Sequence, residues 1–186
     1  MQEKIALIKQ LCKQSTLTDP IKLFDIITHD PQIRMHGPEH HIIDGACVLT
    51  AAYNTGMKFD LNEGLEYIAE QGMRMPGAMC GMWGVCGAVT SVGAALAFMD
   101  STSPLSTDGS WGKHMMYTSY ATALIAQTKG PRCCKRDGAI SIQWAVKFLN
   151  NAYGIKLTER RFLCDHSAEN PQCIKQDCPF YGGADK

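Results

Sequence analysis

The sequence predicts a mostly α, single-domain bundle of five to seven helices that ends in an irregular, cysteine-rich tail. Three observations carry this. At 186 residues the chain has the length of one domain, enough to bury a core without disulfide staples. Apolar residues recur at helical spacing as far as Gly154, and strand signals are scarce. Proline, glycine and capping residues stand where such helices would begin and end.

Residues 3–14 read as a short amphipathic helix, and Pro20 opens a second that runs to about Thr28. Pro38 suits the first turn of a third helix, which stops at Asn54-Thr55-Gly56. Asp60 and Glu63 have the spacing of a capping box and launch a fourth helix to about Gly72. After Met75-Pro76-Gly77, an uncharged helix is predicted from about Trp83 to Met99. Its Gly84, Gly87, Ala88, Ser91 and Ala95 make a small-residue surface that a neighbouring backbone can approach closely. A helix around 111–129 stops at Gly130-Pro131, and Asp137 is expected to cap the last long helix, which ends at Gly154. Residues 1–186 then form one helical domain. Within it, 155–186 is a tail ordered by bound metal or by its loops.

Met75–Met99 is a run of 25 residues without charge, long enough to cross a bilayer. Pro76, the repeated glycines and the absence of a basic flank favour a buried central helix instead. Lysine plus arginine (18) equals aspartate plus glutamate (18), so no basic excess is available for phosphate contacts and a nucleic-acid partner is not expected. The first residues lack the unbroken apolar stretch of a secretory signal, which points to the reducing cytoplasm. There, nine cysteines, an odd number, are metal ligands or catalysts more often than staples.

Three constellations can carry chemistry. The first is Cys164-Asp165-His166 with Cys173-x4-Cys178-Pro179, whose thiols and imidazole suit a zinc ion or an iron–sulfur cluster. The second joins Cys80-x5-Cys86 to Cys133-Cys134, which are flanked by Arg132, Lys135 and Arg136. Positive charge and a helix N-terminus should make Cys133 and Cys134 the lowest-pKa thiols of the chain. The plainer alternative is a pair of buried small hydrophobes beside a solvated basic turn.

The third constellation is His36-Gly37-Pro38-Glu39-His40-His41. It contains the letters of an inverted zinc-protease signature, but Gly37-Pro38 places His36 ahead of the helix, and the protease reading is rejected. His40, Asp44 and Cys47 fall at i, i+4 and i+7, opposite the stripe of Ile42, Ile43, Ala46, Leu49 and Tyr53. They are metal ligands, substrate contacts or a polar face turned to water. No serine triad, P-loop or dinucleotide fingerprint is present.

The segments His36–His41, Cys80-Gly81-Met82-Trp83-Gly84-Val85-Cys86-Gly87-Ala88 and Gly130-Pro131-Arg132-Cys133-Cys134-Lys135-Arg136, with the tail Cys164, Cys173 and Cys178-Pro179, resemble a cysteine-rich domain family of unknown function. That family occurs largely in anaerobic archaea and bacteria, and some members are joined to or encoded beside radical-SAM proteins. The resemblance spans about residues 35–181; Cys12 and Cys47 lie outside its pattern. Cys86-Gly87-Ala88-Val89-Thr90 is also similar, more weakly, to the redox-active family named for its GCAxxG cysteine motif. The resemblance implies an oxygen-sensitive, cysteine-ligated cofactor in an anaerobe.

The leading expectation is therefore a cytoplasmic iron–sulfur protein, of [4Fe–4S] type, in redox or sulfur-handling chemistry on a small molecule. Cys80, Cys86, Cys133 and Cys134 are the expected cluster region, with Cys164, Cys173 and Cys178 completing it or forming a second site. His36, Glu39, His40 and Arg132 are the candidates for proton donation, substrate contact and charge balance. One alternative is a zinc-stabilised helical adaptor docking on a radical-SAM or methyl-transfer partner. Another is a metal-free thiol enzyme using Cys133 and Cys134. The zero net charge and the small-residue helix are compatible with a homo-oligomer.

Overall fold

In the computed structural model, which describes residues 1–183, the chain forms α1 (Gln2–Gln14), α2 (Pro20–Thr28), α3 (His40–Asn54), α4 (Leu61–Arg74), α5 (Met79–Met82), α6 (Gly87–Met99), α7 (Ser110–Ala126) and α8 (Cys134–Tyr153). The last three positions of the expected tail, 184–186, lie outside the described residues. α5 is a single turn, so seven helices are longer than one turn, as the patterning predicts. Two 3-10 turns, His166–Glu169 and Lys175–Asp177, shape the tail.

The helix starts follow their capping chemistry. Asp19 accepts the Lys22 N–H at 2.9 Å with Pro20 in the first turn of α2, and Asp60 accepts the Asn62 and Glu63 N–H groups at 2.8 and 3.0 Å. Two expected boundaries move. α8 begins earlier, with Cys133 as its N-cap, and Asp137 sits inside the first turns, where its carboxylate accepts the Cys133 N–H at 3.4 Å. The uncharged helix does not begin at Trp83. Gly84 takes a positive φ of 67° and Cys86 is extended, so α6 starts only at Gly87.

α3 is the central helix. It packs against α1, α2, α4, α6 and α8, and all its residues from His40 to Ala52 are buried. This corrects one expectation: His40, Asp44 and Cys47 do not form a polar face turned to water, because α3 has none. The small-residue surface of α6 works as predicted. Gly45 of α3 donates its N–H to Ser91 Oγ at 2.9 Å, and a Cβ at Gly45 would collide with the Ser91 carbonyl. Gly87 likewise leaves room for the His41 imidazole. No helix among the described residues is long and apolar enough to cross a membrane.

The tail is fastened to the body. Thr158 donates its N–H to Thr18 O at 2.9 Å, and Phe162 meets Phe24 and Phe180 edge-on at 5.8 and 5.6 Å between centroids. Cys164 and Tyr181 then form an isolated bridge that closes residues 164–181 into a loop over the start of α8.

Candidate metal centre

The loop closed by that bridge carries three cysteines, and the N-terminus of α8 supplies a fourth. Cys133, Cys164, Cys173 and Cys178 line one small cavity of about 20 Å³. Local structure sets each thiol. Cys133 is the extended N-cap of α8, Cys164 is fixed by the bridge, and Cys173 and Cys178 flank the turn Lys175–Asp177. Backbone and side-chain N–H groups point at the sulfurs: Lys175 N–H lies 3.4 Å from Cys173 Sγ, and Asn170 Nδ2 lies 3.8 Å from Cys133 Sγ. Among the described residues, no three cysteine sulfurs lie within 4.8 Å of one another.

Cys134, Cys80 and Cys86 belong elsewhere. They line a second cavity of about 290 Å³ together with His36, His40, His41, Arg132 and Asp137. The structure thus divides the set Cys80, Cys86, Cys133 and Cys134 between two cavities, and gives Cys133 to the tail cysteines. A hydrogen-bonded path joins the two. Cys134 donates its N–H to His36 Nδ1 at 3.4 Å, leaving His36 Nε2–H to donate to Asn170 Oδ1 at 3.1 Å, and Asn170 Nδ2 reaches Cys133 Sγ. Asn170 escaped the sequence reading, since Asn170-Pro171 signals no more than a turn. A larger groove of about 760 Å³ crosses α7, α8 and the tail, but Cys178 is the one cysteine on its wall among the described residues.

The charges around the four-cysteine cavity are buried. Lys135 is 1% exposed and its Nζ donates to Thr28 O at 2.7 Å. Among the described residues it has no carboxylate within 4.0 Å. Burial lowers its pKa, against the opposing pull of Glu169 and of Cys133, Cys164 and Cys134. Arg136 is buried as well, paired with Asp137 at 2.9 Å and donating to Pro131 O at 3.1 Å. The block is therefore no solvated basic turn.

The thiol expectation is corrected by the same burial. Desolvation outweighs the helix N-terminus and the neighbouring cations, raising Cys133 and pushing Cys134 up to about 11. In the metal-free chain both thiols are raised, not lowered.

The expected acid–base residues divide too. Glu39 is fully buried outside the cavity lining, held by Lys4 at 2.6 Å and by Arg34 at 2.7 and 3.0 Å. Burial by itself would raise its pKa, but these hydrogen bonds prevail and hold it well below the usual carboxylate range. Glu39 anchors α1 to the start of α3 and has no proton to donate, which corrects its expected role. His40 lines the cavity, and burial pushes its pKa down to about 3, so it is neutral. His36 is also lowered by burial. Arg132 is exposed on the cavity wall.

Over residues 8–181 the chain matches a family described as Family of unknown function (DUF5714). It belongs to that family. The match includes both cavities and every cysteine that lines them. No curated protein and no solved structure matches this member of DUF5714.

Proposed function

We propose that this DUF5714 protein holds an iron–sulfur cluster of [4Fe–4S] type on Cys133, Cys164, Cys173 and Cys178, and serves redox or sulfur-handling chemistry on a small molecule bound in the adjoining cavity. The observation that carries this reading is the convergence of four cysteines on one cavity at the start of α8, two residues before Lys135, whose ammonium is buried with a carbonyl partner. A buried charge needs a partner. Four thiolates around a metal centre carry a net negative charge that would supply one, with Arg136 at the same wall.

Spacing favours a cluster over a single ion. Zinc–sulfur bonds of about 2.3 Å place tetrahedral sulfurs roughly 3.8 Å apart and leave no space at their centre. Among the described residues no three of these sulfurs lie within 4.8 Å of one another, as four ligands of one zinc ion would. Each thiolate of a cubane binds a different iron and so stands farther from its neighbours. The N–H groups aimed at Cys173 and Cys133 would tune such a centre.

When bound, such a cluster supplies one-electron transfer. The chain's own residues build the place beside it. Neutral His40 and His41, the Arg132 guanidinium and the thiols of Cys80, Cys86 and Cys134 surround about 290 Å³, room for a small polar or sulfur-containing molecule. His36 and Asn170 hold the wall between the two cavities. A thiolate-bound cluster suits the reducing cytoplasm of an anaerobe.

The test is anaerobic purification without chelator, followed by a visible spectrum and assays of iron, acid-labile sulfide and zinc on one sample. A broad band near ~400 nm with iron and sulfide in equal amounts is expected. Colourless protein with zinc alone would overturn the cluster reading in favour of the zinc-stabilised adaptor. Folded protein without metal would favour the thiol enzyme.

A further inference from the structure

Where the tail meets the end of α2, His29, Asp165 and His166 bring two imidazoles and a carboxylate together, with one ligand atom from each within 4.8 Å of the others; His166 also borders the four-cysteine cavity. His29 caps the C-terminus of α2, while Asp165 and His166 follow Cys164 in the tail. The two rings lie 4.4 Å apart between centroids, and both turn Nε2 toward the same carboxylate. His29 Nε2 is 3.1 Å from each Asp165 oxygen, and His166 Nε2 is 3.8 Å from Oδ1.

The far side of each ring is occupied by an acceptor. His29 Nδ1 lies 2.8 Å from Asp25 O, and a carbonyl only accepts, so Nδ1 carries the hydrogen. His166 Nδ1 faces the Glu169 carboxylate at 3.6 Å. This is the outer arrangement of metal-binding histidines, in which an acceptor at one nitrogen directs the lone pair of the other to the ion. An ion pair between His29 and Asp165 would account for those two groups by itself. It leaves His166 unexplained: the residue is 4% exposed and its Nε2 is buried without a hydrogen-bond partner. A buried polar atom in that state has a partner to come.

We propose that His29 Nε2, His166 Nε2 and the Asp165 carboxylate bind a divalent first-row transition-metal ion of the zinc or ferrous class. Two nitrogen donors select against magnesium and calcium, which take oxygen. His29 and Asp165 are exposed, so the remaining coordination position faces solvent. The ion adds a further tie between the tail and the C-terminal end of α2, immediately after Cys164. The site differs from the cysteine centre in ligand chemistry, and His166 borders both.

The test uses the full chain, purified anaerobically with whatever metal its cysteines hold, and titrates Co²⁺ as a spectroscopic stand-in with Zn²⁺ as competitor. The wild type is expected to take up one equivalent beyond its cysteine-bound metal, counting any present on purification. Its visible bands should lack sulfur-to-cobalt charge transfer, Zn²⁺ should displace it and Mg²⁺ should not. His29→Gln is a surface change, and it should lose that equivalent while keeping the wild-type circular dichroism and cysteine-bound metal. Amide exchange over 164–170 should slow on Zn²⁺ addition in the wild type and stay unchanged in H29Q. Failure of the wild type to take up the ion, uptake with sulfur charge transfer, or equal uptake by H29Q would each overturn the proposal. None of these readouts depends on whether the cysteines hold iron or zinc.

Discussion

Cys133 and Cys134 are consecutive residues whose thiols line different cavities, Cys133 with Cys164, Cys173 and Cys178, and Cys134 with Cys80, Cys86 and three histidines. The chain changes direction between them. Cys133 is an extended N-cap at φ −143° and ψ 109°, and Cys134 is the first residue of α8. The two positions therefore make a natural control for each other. Cys133→Ser should abolish the cysteine-bound metal of the purified protein, whereas Cys134→Ser should retain it and alter binding in the larger cavity. Metal and sulfide assays on both variants check this; equal loss in the two would contradict the division of the cavities.

Lys135 predicts a crossover. In the metal-free chain its buried ammonium is a burden, because one carbonyl replaces the water it has lost. Lys135→Met keeps the length and removes the charge, and should stabilise the metal-free protein by ~1–4 kcal/mol in denaturant unfolding. With metal bound the sign reverses. The variant should lose its centre to a chelator faster than the wild type, since the anionic thiolates lose a buried cation two residues from Cys133.

Asp44 gives a pH prediction. Both its oxygens are buried without partners, and its pKa is raised well above the ordinary value, first by burial and then by the Asp137 charge. A carboxyl whose folded pKa is raised contributes stability that is complete below its unfolded value of about 4 and is lost as pH rises through the folded value. Asp44→Asn fixes the neutral form. Its stability relative to wild type should grow with pH above about 4, by at most roughly 1.4 kcal/mol per unit, and should show no such trend below that. Unfolding curves between pH 3 and 7, below the ordinary thiol pKa of about 8.5, would show a parallel pair of profiles if Asp44 were ionised in the fold.

The helices were legible because their signals are local. Pro20, Asp60 with Glu63 and the small residues of α6 act within a turn or two of themselves, and the structure uses them as their chemistry suggests. The boundary errors at Trp83 and Asp137 arose where a glycine at positive φ and a cysteine N-cap carry the turn. The site was legible as a set of residue types and illegible as a grouping. Cys133 and Cys134 are inseparable in sequence, and nothing local to Lys135, Arg136 and Glu39 tells that they are buried.

What the sequence determined by itself was the helical class, the irregular character of the cysteine-rich tail and the chemical identity of the groups near both cavities. Periodicity, caps and residue type are properties of short stretches of chain, and they survive without knowledge of neighbours. Only the tertiary structure decided that α3, not α6, is the centre, that adjacent thiols part company at Cys133, and that His29 meets Asp165 and His166 from 136 residues away. Each of those depends on which surfaces are taken out of water together. Desolvation is a property of the assembled fold, and it reversed the sign of the thiol shifts that local charge alone predicts.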